Sequence, residues 1–192
     1  MPDPIFAHPR LAPLYDTFDG DRDDLAAYLA IADELAADRV LDVGCGTGSL
    51  AVMFADAGRT VVGADPAEAS IDVARGKDPD GRIAWVVGDA AAVRQTGFDL
   101  AVMTANVAQV FVTDDDWART LRAIHAALRP GGHLAFEARR PAYRAWEEWD
   151  TAPVTVEVPG AGMVERRLEV TGVRLPYVSS GTRTGSVRTE RS

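Results

Sequence analysis

The chain has 192 residues, with 20 basic against 29 acidic side chains and a net charge of −9. That length fits one domain, or one domain with an appendage, and the acidity argues against a DNA or RNA backbone as the thing bound. No apolar run reaches the ~18 residues of a membrane span, and Met1-Pro2-Asp3-Pro4 does not read as a secretory leader. The single cysteine, Cys45, allows no internal disulfide, so a reducing cytoplasm is the expected compartment.

Residues 1–38 read as a cap segment and a helix. The first 20 carry Pro2, Pro4, Pro9, Pro13 and Gly20, with Phe6, Leu11, Leu14, Tyr15 and Phe18 placed to anchor them to the body. Within 21–35, Leu25, Tyr28, Leu29, Ala32 and Leu35 follow the i, i+3, i+4, i+7 spacing of an amphipathic helix, and acids at its start suit the helix dipole. Residues 39–43 predict a first strand and 60–65 a second, followed by a helix over 67–76 and a turn at Pro79-Asp80-Gly81. Third and fourth strands are predicted over 83–87 and 98–103. A long helix over 114–128, capped by Asp114, stops at Arg129-Pro130-Gly131-Gly132 before a fifth strand at 133–138. Strands alternating with helices imply an α/β fold, a doubly wound and mainly parallel sheet with helices on both faces.

Beyond residue 140 the pattern changes to a short helix over 143–149 and then antiparallel strands over 154–158 and 163–175. The domain reading is a cap at 1–38, a core at 39–140, an antiparallel β insertion at 141–178 and a polar tail at 179–192 that reads as disordered.

The core turns on Gly44-Cys45-Gly46-Thr47-Gly48, set between the first strand and a helix from Ser49. Glycines there permit positive φ and a close ligand approach, and the helix start offers free N–H groups and the positive end of a dipole. The spacing is G-x-G-x-G, whereas the dinucleotide fingerprint is G-x-G-x-x-G, whose third glycine is replaced here by Ser49. Cys45 has no histidine near it in sequence, so it reads as a small turn residue and not as a nucleophile.

Strand, Asp42-Val43-Gly44-Cys45-Gly46-Thr47-Gly48, helix resembles the first motif of the class I S-adenosylmethionine (SAM)-dependent methyltransferases, which are Rossmann-like. The resemblance runs over about residues 10–140 and includes the helix-to-strand turn Leu128-Arg129-Pro130-Gly131-Gly132. It implies SAM as cofactor, bound around Asp42, Gly44, Cys45, Gly46 and Gly48. Asp65 with Pro66 closes the second strand and would accept from the ribose hydroxyls. Gly88-Asp89-Ala90 follows the third strand and would read the adenine. Asn106, Val107 and Gln109 follow the fourth, at the mouth where cofactor and acceptor meet, and Tyr15 is placed on the carboxylate side of SAM. Each acid alone would serve as well for a helix cap.

The implied reaction is an in-line displacement of the SAM methyl, driven mainly by positioning of the two reactants. No residue qualifies as a catalytic base: His8 lies in the cap, His125 in the long helix, and His133 at the far end of the fifth strand. Glu137 and Arg139 stand near the carboxyl end of that strand, on the acceptor side. No metal site is expected. The fourth strand is not followed by Asn-Pro-Pro-Tyr or Asp-Pro-Pro-Tyr, the motif of amino-directed DNA methyltransferases, so a small-molecule acceptor is expected.

One departure stands out. The family layout has seven strands, closing in an antiparallel hairpin, and only five parallel strands are predicted here. Read with GC-rich codons and shifted by one nucleotide from Ser180, the tail encodes Arg-His-Thr-Tyr-Arg-Phe-Gly-Ala-Asp-Gly-Ala-Val, a strand, turn and strand start. The expectation is a frameshift or truncation that removed the last two strands. An uncovered edge at the fifth strand would invite pairing with another chain, a homo-oligomer included. Two alternatives follow: a SAM-binding remnant or partner-completed module without turnover, and, against the glycine spacing, an NAD-dependent oxidoreductase.

Overall fold

The structure is a computed structural model and describes residues 3–20, 22–139, 141–149, 152–158 and 161–167. Five strands form one parallel sheet: β1 (Arg39–Val43), β2 (Thr60–Asp65), β3 (Ile83–Val87), β4 (Phe98–Met103) and β5 (Leu128–Phe136), in the spatial order β3-β2-β1-β4-β5. β1 is central and buried from Val40 to Val43, as a parallel strand covered on both faces must be. The chain leaves β1 toward β2 on one side and later returns to β4 on the other. That reversal makes the carboxyl end of β1 the place where an open α/β sheet binds ligands.

Side-chain alternation sorts the core into two layers. Val40, Val61, Leu100 and Val102 meet α3 (Leu25–Glu34) and α4 (Ser49–Asp56) through Leu25, Tyr28, Ala32, Leu50 and Phe54. Leu41, Val43, Val62, Ala101 and Met103 face the opposite way, toward Ile124 and Ala127 of α6 (Asp114–Ala127). Full burial of Phe54, Phe98, Leu41 and Ile124 is worth about 1.5–3 kcal/mol each. α5 (Glu68–Lys77) follows β2 and packs on β2, β3 and the N-terminal segment.

Three expectations change in detail. α6 is capped by Thr113, whose hydroxyl accepts from Asp116 N–H at 3.1 Å, and Asp114 is its first helical residue. A hydroxyl one residue before three acids caps better than the first acid, because those acids then occupy the first turn where the dipole favours them. Thr113→Ala should cost about 1 kcal/mol of stability, read from the urea midpoint. β5 begins at Leu128 and not at 133, since Leu128 pairs with Phe98 and His133 with Leu100 across a register break at Arg129-Pro130-Gly131-Gly132. His133 therefore lies within the strand. The helix expected over 143–149 is two 3₁₀ turns, Pro141–Tyr143 and Ala145–Glu148.

The cap is less loose than its prolines suggest. It folds into α1 (Pro4–Ala7), a 3₁₀ turn at Ala12–Leu14 and α2 (Tyr15–Asp19), with Ala12 and Leu14 buried. The hairpin of β6 (Val154–Val158) and β7 (Gly162–Arg166) is antiparallel, and its Val158 and Val164 pack on Leu14. Arg166 Nη1 donates to the Phe18 carbonyl at 2.8 Å. The remainder of the strand expected over 163–175, the polar tail and the sequence around Ser180 lie outside the described residues. No helix among the described residues is long and apolar enough to cross a membrane.

Candidate functional site

Three glycines shape the turn after β1, with φ of +73° at Gly44, +54° at Gly46 and +82° at Gly48. They do different work. A Cβ on Gly44 would sit 2.4 Å from Val107 Cγ2, and one on Gly48 would sit 2.6 Å from Trp85 Cη2 and 2.8 Å from Ala74 Cβ. Those two positions are glycine because neighbouring elements press on them. A Cβ on Gly46 would meet nothing within 4 Å, so that stretch of backbone faces open space. Gly48 N–H donates to the Cys45 carbonyl at 2.9 Å, which tightens the turn into α4.

Asp42 lies beneath this turn. It is fully buried, and its Oδ1 has no hydrogen-bond partner. Burial, with the Asp65 charge adding to it, pushes its carboxyl up to about 7, against a smaller opposing pull from Arg22. Asp65 ends β2 and clasps the turn from the side: its carboxylate accepts from Gly46 N–H at 3.0 Å and from Ala67 N–H at 2.8 Å. Burial raises the Asp65 carboxyl, and those two hydrogen bonds partly offset the rise. Pro66 follows it, exposed. Burial likewise pushes the Cys45 thiol well up, with Asp42 and Asp65 adding, so this cysteine is a poor nucleophile.

Beyond β3, Gly88 N–H donates to the Asp65 carbonyl at 2.9 Å and so joins two strand ends. Asp89 is exposed and caps the 3₁₀ turn Ala90–Ala92 by accepting from Ala91 N–H at 3.0 Å, while Ala90 is buried. Beyond β4, Val107 closes over Gly44, Gln109 holds a buried Oε1 with no partner, and Asn106 Oδ1 accepts from Arg139 Nε at 2.7 Å. Tyr15 packs its ring on Phe6, with centroids 5.0 Å apart, and burial followed by the Asp19 charge pushes its hydroxyl up to about 12. A cavity of about 330 Å³ opens between the cap and the segments that follow β4 and β5, lined by Tyr15, Asn106, Glu137 and Arg139 among others. The expected site residues thus gather along one edge of the sheet. His125 and His133 are exposed and away from this cavity, and His8 accepts from Arg10 N–H within the cap.

Asp16 was missed. Its carboxylate accepts from Thr47 Oγ1 at 2.6 Å and pairs with Lys77 Nζ at 2.6 Å, so one residue of α2 ties the cap both to the glycine turn and to α5. Lys77 also donates to Ser49 Oγ at 3.2 Å. Position next to Tyr15 was the sole available signal, since a contact across 31 residues leaves no trace in local spacing.

Residues 40–132 match the family model described as a methyltransferase domain. Over these residues the chain is similar to SAM-dependent methyltransferases and shares their fold. The cypemycin N-terminal methyltransferase of a Streptomyces species is 31% identical over 119 residues, 62% of this chain and 49% of the relative. The chain spans about half the length of the curated relatives it matches. SAM-bound CalS10 of Micromonospora echinaspora, an amino pentose methyltransferase, is 25% identical with a TM-score of 0.60, covering 83% of this chain and 70% of that one. The CcbJ methyltransferase of Streptomyces caelestis shares the fold at a TM-score of 0.66 and 24% identity, covering 87% and 70%. The glycine turn, Asp65 and Asp89 stand at successive strand ends, β1, β2 and β3, of a sheet whose fold these methyltransferases share.

Proposed function

We propose that the protein transfers the methyl group of SAM to a small-molecule acceptor by in-line displacement. The observation that carries this reading is the buried, partnerless Oδ1 of Asp42 under a turn whose outer glycine, Gly46, faces open space. A desolvated carboxylate oxygen without a donor is costly unless a ligand supplies one. The ammonium of an amino-acid-type ligand does so, while the exposed Gly46 backbone lets that ligand approach. Asp65, one strand over, takes the ribose hydroxyls on lone pairs left over from its two backbone hydrogen bonds. Asp89 and the backbone at Gly88 and Ala90 stand one strand further, for the adenine. The residues present fit SAM.

When bound, SAM supplies an electrophilic methyl on a sulfonium. The chain's part is to hold both reactants in line and keep water out, worth up to ~7–11 kcal/mol of barrier. No described side chain is placed to act as a strong base, and positioning suffices for an acceptor that is itself nucleophilic. A small acceptor suits the −9 charge and the size of the cavity.

Calorimetry with S-adenosylhomocysteine tests the cofactor half. Asp65→Ala should weaken its binding by about 1–3 kcal/mol, the usual loss for hydrogen bonds to a charged group. Unchanged affinity would mean that the ribose lies elsewhere. Tight NAD binding with none of S-adenosylhomocysteine would overturn the reading, and binding without methyl transfer to any acceptor would favour a binding module.

A further inference from the structure

The cavity between the cap and the segments after β4 and β5, about 330 Å³, falls within the roughly 300–1,000 Å³ of small-molecule sites. Five charged side chains line it, and three of them satisfy one another. Arg22 pairs with Asp19 at 2.7 Å and with Asp24 at 2.8 Å. That leaves Glu137 and Arg139, two residues apart just past β5, on the wall where β4 and β5 end. Neither makes an ion pair among the described residues.

Arg139 is held in place. Its Nε donates to Asn106 Oδ1 at 2.7 Å, and its guanidinium lies over the Trp149 ring, 4.3 Å from the centroid. Those contacts use Nε and one face and leave the two-nitrogen Nη edge, the edge that matches a carboxylate in bidentate fashion. Burial lowers the Arg139 guanidinium from its ordinary value, and the nearby Glu137 charge opposes that. The pair is thus close enough to feel each other without closing into a salt bridge. Both side chains are exposed, and a ligand bearing only one sign would attract one of them and be repelled by the other. A ligand bearing both satisfies both.

We propose that the acceptor is a zwitterion of the α-amino-acid type, its carboxylate on the Nη edge of Arg139 and its ammonium toward Glu137. This rests on the methyl-transfer reading above and deepens it by naming the acceptor class. Asn106 and Trp149 act as positioning residues, because they fix the plane of the guanidinium.

The test is calorimetry on the full chain saturated with S-adenosylhomocysteine, at about pH 6, below the α-amino pKa. The probes are three near-isosteres: phenylalanine, phenylalaninamide and phenyllactate. Phenylalanine should bind at least about tenfold more tightly than either analogue, as expected for charge-assisted hydrogen bonds. Arg139→Gln should erase its advantage over phenylalaninamide, and Glu137→Gln its advantage over phenyllactate. S-adenosylhomocysteine affinity within about threefold of the parent in both variants shows that they remain folded. The proposal is overturned if phenylalanine does not bind, if either analogue matches it, or if either substitution leaves its preference intact. Failure of the parent chain to bind S-adenosylhomocysteine would instead sink the methyl-transfer reading, and this inference with it.

Discussion

Gly48→Ala should destabilise the protein by about 3 kcal/mol, read as a shift of the urea unfolding midpoint. Two costs add. The residue sits at φ +82°, where a Cβ costs ~1–2 kcal/mol. The Cβ would also lie 2.6 Å from the Trp85 ring and 2.8 Å from Ala74 Cβ, and overpacking of that kind costs ~1–3 kcal/mol. Neither neighbour yields easily, since Ala74 is a fully buried helical methyl and the Trp85 ring lies against both Gly48 and Gly63. Gly46→Ala is the control. It shares the left-handed backbone, at φ +54°, but its Cβ meets nothing, so only the conformational cost of ~1–2 kcal/mol should appear. Equal losses at the two positions would show that backbone conformation alone makes this turn glycine-rich.

Asp42→Asn should change how stability and cofactor binding respond to pH. Burial first, and the Asp65 charge second, push the Asp42 carboxyl up to about 7 in the ligand-free fold, whereas the unfolded chain releases that proton near pH 4. Between these limits the folded state binds the proton and the unfolded state does not. Stability therefore falls as pH rises from about 4 to about 7 and levels off above that, a loss on the order of 2–4 kcal/mol from this group. The charged groups that set this titration are Asp65 at the end of β2 and Arg22 before α3, while Tyr28 within α3 and Cys45 in the turn face the same carboxyl and are themselves raised, chiefly by burial and in part by its charge. Asparagine cannot ionise, so the variant should show a shallower slope and be relatively more stable at pH 8 than at pH 5. A smaller slope of the same sign remains from Asp65, which burial also raises. S-adenosylhomocysteine binding should respond oppositely. In the parent chain it tightens as pH passes 7 and the carboxylate forms to meet the ligand's ammonium. In the variant it is weaker and less dependent on pH. Parallel slopes for parent and variant would show that Asp42 is not the group that titrates.

Much of this was legible in the order of residues. β1 and β4 are largely apolar runs short enough for strands, and helical spacing marked α3, because local periodicity follows directly from which side of an element meets the core. The glycine turn was legible for a similar reason: positive φ selects glycine at fixed positions, and a strand-end acid recurs where the sheet presents its carboxyl edge. Boundaries were less legible. Arg129-Pro130-Gly131-Gly132 reads as a helix stop, yet β4 draws Leu128 into pairing and extends β5 backward across the break. The cap, with its prolines, reads as loose, yet Leu14 seats against β6 and β7, and Asp16 reaches Thr47.

By itself, then, the sequence determined the parallel α/β sheet, the glycine turn and the acids at three successive strand ends, all of which depend on neighbours within a few residues. Tertiary structure alone decided which of those acids is orphaned and which is occupied. Asp42 loses its water because both sheet faces are covered. Asp65 is engaged by backbone N–H groups brought to it by the turn. Asp89 stays exposed as a cap. Tertiary structure also brought Glu137 and Arg139 to one cavity, where neither makes an ion pair among the described residues. Charge and spacing are written in the chain. Desolvation is a property of what folds over it.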